Sequence, residues 1–275
     1  MNRNSAARTV IFHIAAAGLG ILAMMPFLWM ISTALKDSGA IITIPIQWIP
    51  RKPGLDNFVN IFKKDGIFRS MMNSFLVSLG SVGTVLVSSA MAAFAFAKIK
   101  FRGREILFLV YLAVLMIPSQ VLFIPMYLLM SELGLTDSLW ALVLPNVIRV
   151  FAVFMLRQQM LSIPDAFLEA AAIDGASLFR QFIQIMVPMC RTTFITLFII
   201  SFMDAWNDFL MPLVMLTSRH NYTLPIILNS LSGIYKTEVN LLMAGALISM
   251  LPIIILYGAA QKYFAGGLQL GGIKG

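Results

Sequence analysis

Long runs without charge set what this chain is able to become. From Ser70 to Ala97, between Arg69 and Lys98, no side chain is ionisable as an acid or strong base. A membrane-crossing helix needs about 20 predominantly apolar residues, and this run exceeds that. Ile106 to Ser131, between Glu105 and Glu132, and Val239 to Gln261 repeat the pattern. Thr9 to Leu35 follows Arg3 and Arg8. It is longer than the roughly 7–15 apolar residues of a signal-peptide core, and no small-residue cleavage site follows it, so it reads as a retained first span. Two runs are weaker: Ser138 to Leu156 is interrupted by Arg149, and Thr192 to Ser218 contains Asp204 and Asp208. The expectation is an all-α, polytopic membrane protein with six transmembrane helices.

Composition excludes the main rivals. Charged residues make up only 12% of the chain and hydrophobic ones 59%, against about 25% charged in a soluble domain. The net charge of +8 sits between apolar runs rather than on one face. That suits anionic lipid and membrane orientation, and argues against nucleic acid. The single cysteine, Cys190, excludes an intrachain disulfide or a multi-cysteine metal site. No G-x-x-x-x-G-K-[ST] phosphate loop occurs, so ATP hydrolysis by the usual machinery must come from elsewhere. His13 and His220 are far apart, nothing marks a nucleophilic serine, and the 19 methionines form no Met-x-x-Met array. The chain reads as a non-enzyme without metal or cofactor of its own.

Basic residues orient the spans. The 98–104 connector holds Lys98, Lys100, Arg102 and Arg104 without an acid, whereas 132–138 holds Glu132 and Asp137 without a base. The first is therefore expected in the cytoplasm and the second outside. Even span number then puts both termini inside. The 36–69 segment, with six basic residues, conflicts with this, but longer loops are poorer topology signals. The expected order is a cytoplasmic N-terminus (1–8), a first span (9–35) and an external segment (36–69). A core with five further spans (70–262) and a cytoplasmic tail (263–275) follow. In 36–69, Pro45, Pro50 and Pro53 precede Leu55, Phe58, Ile61 and Phe62 at helical spacing, predicting an extended stretch and a short amphipathic helix. The glycine-rich end from Ala265 to Gly275 is expected to be irregular.

The connector at 162–188 carries the most information. Ser162 is placed to cap a helix, with Pro164 in its first turn and Asp165 three residues on. Ala166 to Ala172 is alanine-rich and favours helix. Asp174-Gly175 ends it, with Gly175 free to turn left-handed. Ser177 opens a second helix and Pro188 breaks the chain before the fifth span. The product is a helical hairpin in the cytoplasm. On physical grounds alone it is equally a plain surface link.

Glu169, Ala170, Ala171, Ala172, Ile173, Asp174, Gly175 and Ala176, then Phe182, Ile185 and Val187-Pro188, closely resemble the EAA loop of binding-protein-dependent ABC importer permeases. Two departures stand outside its core: Val187 replaces the usual leucine, and Thr192 a common second proline. The flanks, including Phe154 to Gln158, Ser162 to Pro164, Trp206 to Leu213, Asn73 to Phe75 and Gln261 to Phe264, are similar to the carbohydrate branch. The likeness covers nearly the whole chain and points to the smaller, maltose-type permease. It implies the type I ABC importer permease fold and a hairpin seated on an ATPase, with Glu169, Ala170, Ala171, Asp174, Gly175 and Ala176 as its coupling residues. It further implies two copies of a cytoplasmic ATPase that bind ATP and Mg, a second related permease, an extracytoplasmic solute-binding protein, a sugar or oligosaccharide as substrate, and a bacterial or archaeal plasma membrane as location.

Arg149 stands inside a predicted span, where it costs about 2.5–3.5 kcal/mol on insertion scales. It should therefore face a partner, a cavity or the interface. With Asn146, Gln120 and Asn73 it is a candidate for the substrate path, although membrane helices also use such groups as interhelical glue. Asp204 and Asp208 fall on one helix face, which suits packing and hydrogen bonding better than proton relay. Pro118, Pro125 and Pro145 are expected to bend the third and fourth spans. Alternatives are a permease for glycerol phosphate, a polyamine or a peptide, a secondary proton-coupled carrier, and, least favoured, a membrane hydrolase.

Overall fold

A computed structural model describes residues 3–37, 47–232 and 238–267, with the side chains of 8–37, 47–232 and 238–261. The helices are α1 (Arg3–Ala34), α2 (Asp56–Lys63), α3 (Ile67–Lys98), α4 (Arg104–Ala113), α5 (Phe123–Glu132), α6 (Trp140–Val143) and α7 (Val150–Leu161). They continue with α8 (Ala166–Ile173), α9 (Leu178–Gln181), α10 (Val187–Met189), α11 (Arg191–Asn207), α12 (Leu210–Met215), α13 (Leu224–Asn229) and α14 (Val239–Gly267). Four stretches are long and apolar enough to cross a membrane: Arg8–Ala34, Ile67–Lys98, Trp140–Leu161 and Val239–Gln261. Two bent pairs, Arg104–Met116 with Ser119–Glu132 and Leu178–Met189 with Arg191–Asn207, raise the number to six if each is one span.

These elements follow the six apolar runs closely except in the fifth, and proline marks two of the departures from straight helix. The third span bends by 93° where Pro118, with no N–H to donate, starts a turn of 3-10 helix at Ser119–Leu122. Pro145 lies in another such turn, Leu144–Val147, inside the fourth span. The expected fifth run to Ser218 is shorter: α11 ends at Asn207, Asp208 is extended, and α12 resumes at Leu210. Asp204 and Asp208 therefore do not share one continuous helix. Helix continues through Gly267 at the tail, and 268–275, like Pro45, lie outside the described residues.

The chain divides into two compact units. In the one built from Met1–Ile67 and Ile227–Leu251, α2 forms as the spacing of Leu55, Phe58, Ile61 and Phe62 predicts. Only Ile61 of that stripe is fully buried. Asn57 buries its amide, donating to the carbonyls of Ala34 (2.7 Å) and Lys36 (2.8 Å), while Asn240 donates to Lys36 as well (2.5 Å). These side chains satisfy carbonyls at the end of α1 that no helical turn follows. A Cβ at Gly245 would lie 2.4 Å from Leu228 Cδ2, so the Leu228 side chain would have to shift to admit one.

The second unit, Phe68–Ile226 and Pro252–Gly275, holds the core that positions the functional residues. Val85, Ala90, Ala93, Phe94 and Ala97 of α3 pack with Phe108 of α4 and with Ala152, Val153, Leu156 and Met160 of α7. Ala90, Ala93 and Ala97 give α3 a small-residue face within this core. Arg157 is buried among them. Its Nη2 donates to both carboxylate oxygens of Glu105 (2.7 and 2.8 Å) and its Nε to the Phe96 carbonyl (3.2 Å), and the guanidinium lies 4.0 Å from the centre of the Phe108 ring. A buried charge paired on this scale joins three helices at one point.

Candidate functional site

The hairpin between the fourth and fifth spans forms through its small residues. The α8 helix ends at Asp174, and Gly175 takes φ +79°, a region open to glycine at little cost. Gly175 N–H then donates to Ala172 O (3.0 Å) and Ala176 N–H to Ala171 O (2.9 Å), the paired closure of a Schellman turn. Ser177 caps α9 by accepting from Arg180 N–H (3.3 Å), as its place after the turn predicts. Buried Gln181 donates to Ala176 O (2.9 Å). The hairpin start differs from expectation. Ser162 ends α7, its hydroxyl donating back to Gln159 O (2.7 Å), and α8 begins at Ala166 after Asp165 with no side-chain cap.

Lys98 fixes the root of the hairpin. Its ammonium, with a side chain only 5% exposed, donates to Asp165 (2.5 Å) and to Ile163 O (2.7 Å). The Lys98 hydrogen bond and charge hold the Asp165 carboxyl below its ordinary range. A pocket of about 250 Å³ opens beside this pair, lined among others by Phe94, Leu168, Glu169 and Gln181. Glu169, Ala170, Asp174 and Gly175 are exposed. So are large apolar groups beside them, Phe167, Leu178, Phe179 and above all Ile173 at 87%. Leu178 and Phe179 belong to the bent pair that begins at Leu178, whereas Phe167 and Ile173 expose their apolar side chains before it.

A second polar group lies mid-span. Ile148 and Arg149 are extended, interrupting the fourth span before α7. Asn146 donates to Ser81 Oγ of α3 (3.1 Å) and to Leu142 O (2.8 Å), and accepts from Arg149 Nε (3.0 Å). Arg149 Nη2 reaches Asp204 on α11 at 3.5 Å. Asn146 and Arg149, singled out from sequence, are thus in contact. Asn73 serves otherwise: it is buried and donates to the carbonyls of His220 (2.9 Å) and Tyr222 (3.0 Å). Both of its amide hydrogens are thus committed to backbone carbonyls ahead of α13. Gln120 is exposed on the turn after Pro118, accepting from Ser119 Oγ at 3.4 Å, and makes no hydrogen bond to Arg149. Sequence reasoning missed the Lys98–Asp165 and Arg157–Glu105 pairs. Their partners are 67 and 52 residues apart, and only the proximity of Lys98, Glu105, Arg157 and Asp165 to span ends hinted at them.

Between the expected external connector and the fifth span, Asp137 accepts from the backbone N–H groups of Thr217 (3.0 Å) and Ser218 (2.9 Å). Desolvation pushes its carboxyl up, yet the hydrogen bonds from Ser218, Thr217 and Asn221 outweigh it and hold the group well below the carboxylate range.

Comparison with known proteins places this geometry. Residues 84–269 match the family described as the binding-protein-dependent transport system inner membrane component. The arabinooligosaccharides transport system permease protein AraQ of Halalkalibacterium halodurans is 36% identical over 95% of both chains. Its Bacillus subtilis counterpart is 33% identical over 94% of this chain and 92% of that one. A crystal structure of a bacterial ABC transporter involved in the import of the acidic polysaccharide alginate superposes with TM-score 0.85, covering 96% of this chain and 99% of that one at 20% identity, which shows a shared fold. The relatives are permease proteins, so this chain is a transport subunit and not an enzyme. The matched region begins within α3 and takes in the hairpin, Asn146, Arg149 and Asp204, and the chain belongs to the binding-protein-dependent transport system inner membrane components as a multi-pass membrane permease.

Proposed function

We propose that this chain is one permease subunit of an ATP-driven importer in a bacterial inner membrane, passing a sugar or oligosaccharide handed over by an extracytoplasmic binding protein. The sugar class rests on the relatives, whose names refer to arabinooligosaccharides and alginate. The binding protein is in keeping with the family's description. A second related permease completes the path. Two copies of an ATPase bind ATP and Mg and seat against the hairpin, using Glu169, Ala170, Ala171, Asp174, Gly175 and Ala176. The hairpin and both termini lie in the cytoplasm, in line with the basic 98–104 connector.

The observation that carries this reading is the exposed apolar surface of α8–α9 around Ile173, held at its root by Lys98 and Asp165. A surface of that kind, rigidly joined to α3, turns movement of a partner into movement of a span. ATP drives the cycle only in so far as the complex binds it differently in its two conformations. In the test, the tagged chain is purified from cells that also make its ATPase and second permease. The ATPase should copurify with the native chain and be lost from a variant carrying both Glu169→Lys and Ile173→Asp that still reaches the membrane. Undiminished copurification would remove the hairpin from the interface.

A further inference from the structure

An ion pair exposed in the middle of an apolar bundle needs something polar opposite it. Arg149 and Asp204 have side chains 38% and 52% exposed, although the flanking residues of the fourth and fifth spans are overwhelmingly apolar. Hydrocarbon does not accept such groups. Ionisable side chains at this depth face a partner or a water-filled path. The backbone is also open there, since Ile148 and Arg149 are extended between two helical pieces. Broken helices at membrane depth are tolerated where they line a cavity or are buried in protein.

The trio is built unevenly. Asn146 is anchored to Ser81, itself 1% exposed, and to Leu142 O, and it holds Arg149 Nε at 3.0 Å. The Arg149–Asp204 contact is far looser, at 3.5 Å. Two of the five N–H donors of the guanidinium are engaged. One side chain is therefore oriented from behind, while its forward face and the Asp204 carboxylate remain able to take other partners.

We infer that Arg149, oriented by Asn146, and Asp204 form a sugar-contact station in this subunit: hydroxyl groups of a neutral oligosaccharide enter between them, Arg149 donating to hydroxyl oxygens and Asp204 accepting hydroxyl protons. A sugar hydroxyl both donates and accepts, so it bridges the pair without leaving either charge unmatched. A simple anion or cation would satisfy only one of the two. This rests on the importer reading above, and deepens it by assigning this chain a direct part in binding.

The test uses the complete transporter in vesicles, with its ATPase, second permease and binding protein, and a panel of arabinotriose, maltotriose and lactose as probes. If the native complex takes up none of them with ATP, the importer reading itself is at fault for these sugars. Given one transported sugar, Arg149→Lys and Asp204→Asn should each lower its uptake about tenfold or more, the size expected on losing a hydrogen bond to a charged group. The charge exchange, Arg149→Asp with Asp204→Arg, should stay as poor as the single variants. Near-native uptake by the exchanged pair would mean a mere structural latch and overturn the proposal. Should the variants assemble poorly, Asp204→Cys gives an independent reading. An impermeant thiol reagent should modify it, more slowly when the sugar is being transported. Failure to react in any state, or a rate indifferent to sugar, would also overturn it.

Discussion

Lys98, the last residue of the second span, holds Asp165, the residue before α8, at 2.5 Å. The pair is asymmetric: the lysine side chain is 5% exposed and the aspartate 62%. The same ammonium also takes the Ile163 carbonyl. The hairpin is thus tied to a span that does not precede or follow it in the chain, and a displacement of α8 is passed directly to α3.

That tie predicts an uncoupled variant. Lys98→Met keeps most of the buried stem while removing the charge and both hydrogen bonds. We expect the complex to assemble, with ATPase activity that no longer rises in response to loaded binding protein. Native stimulation in the variant would show that α3 is not part of the route. Acidity should reproduce the defect. Because Lys98 lowers the Asp165 pKa on folding, the contribution of the pair is complete above the unfolded value of about 4 and fades as pH falls through the folded one. The difference in thermal stability between native and Lys98→Met complexes should therefore be full at pH 7 and narrow as the pH falls below about 4.

Gly175 predicts a second uncoupling by a different cause. A Cβ there meets nothing within 4 Å, so space is not the obstacle; φ +79° is. A β-branched residue at such an angle is strained by about 1–3 kcal/mol. Gly175→Val should insert normally yet transport poorly, with alanine milder, as measured by membrane content and uptake side by side. Wild-type uptake with valine would mean that the turn angle does not matter to coupling.

Orientation is open to direct labelling. Gly103 and Gly134 both have positive φ, so cysteine is better placed at exposed Arg102 and Glu132. Cys190 is buried and should give little background. In intact cells an impermeant thiol reagent should modify Glu132→Cys and spare Arg102→Cys. The reverse pattern would place the hairpin outside and end its assignment to an ATPase.

What the sequence disclosed follows from which interactions are local. The apolar spans, four or up to six with the bent pairs, the bend at Pro118, the left-handed Gly175 and the cap at Ser177 depend on residues within a few positions, and all are readable in order along the chain. Ser162 misled because the same serine that suits a helix start also ends one, and α7 reaches it first. The weak fifth run misled because apolar composition continues past Asp208 while the helix does not. Arg149 signalled itself by its cost, but its partner Asp204 is 55 residues away, and the Lys98 clamp and the Arg157 junction likewise join distant segments. Asn73 joins distant segments in the same way, its amide hydrogens taken by the His220 and Tyr222 carbonyls.

The most direct test of the account is the source of energy for uptake. In vesicles holding this chain, its second permease and its ATPase, with sugar-loaded binding protein on the outside, accumulation should require ATP within and persist when an uncoupler collapses the proton gradient. The chain without the ATPase should accumulate nothing. Uptake by the chain driven by an imposed proton gradient, with no ATPase present, would contradict the account at its centre.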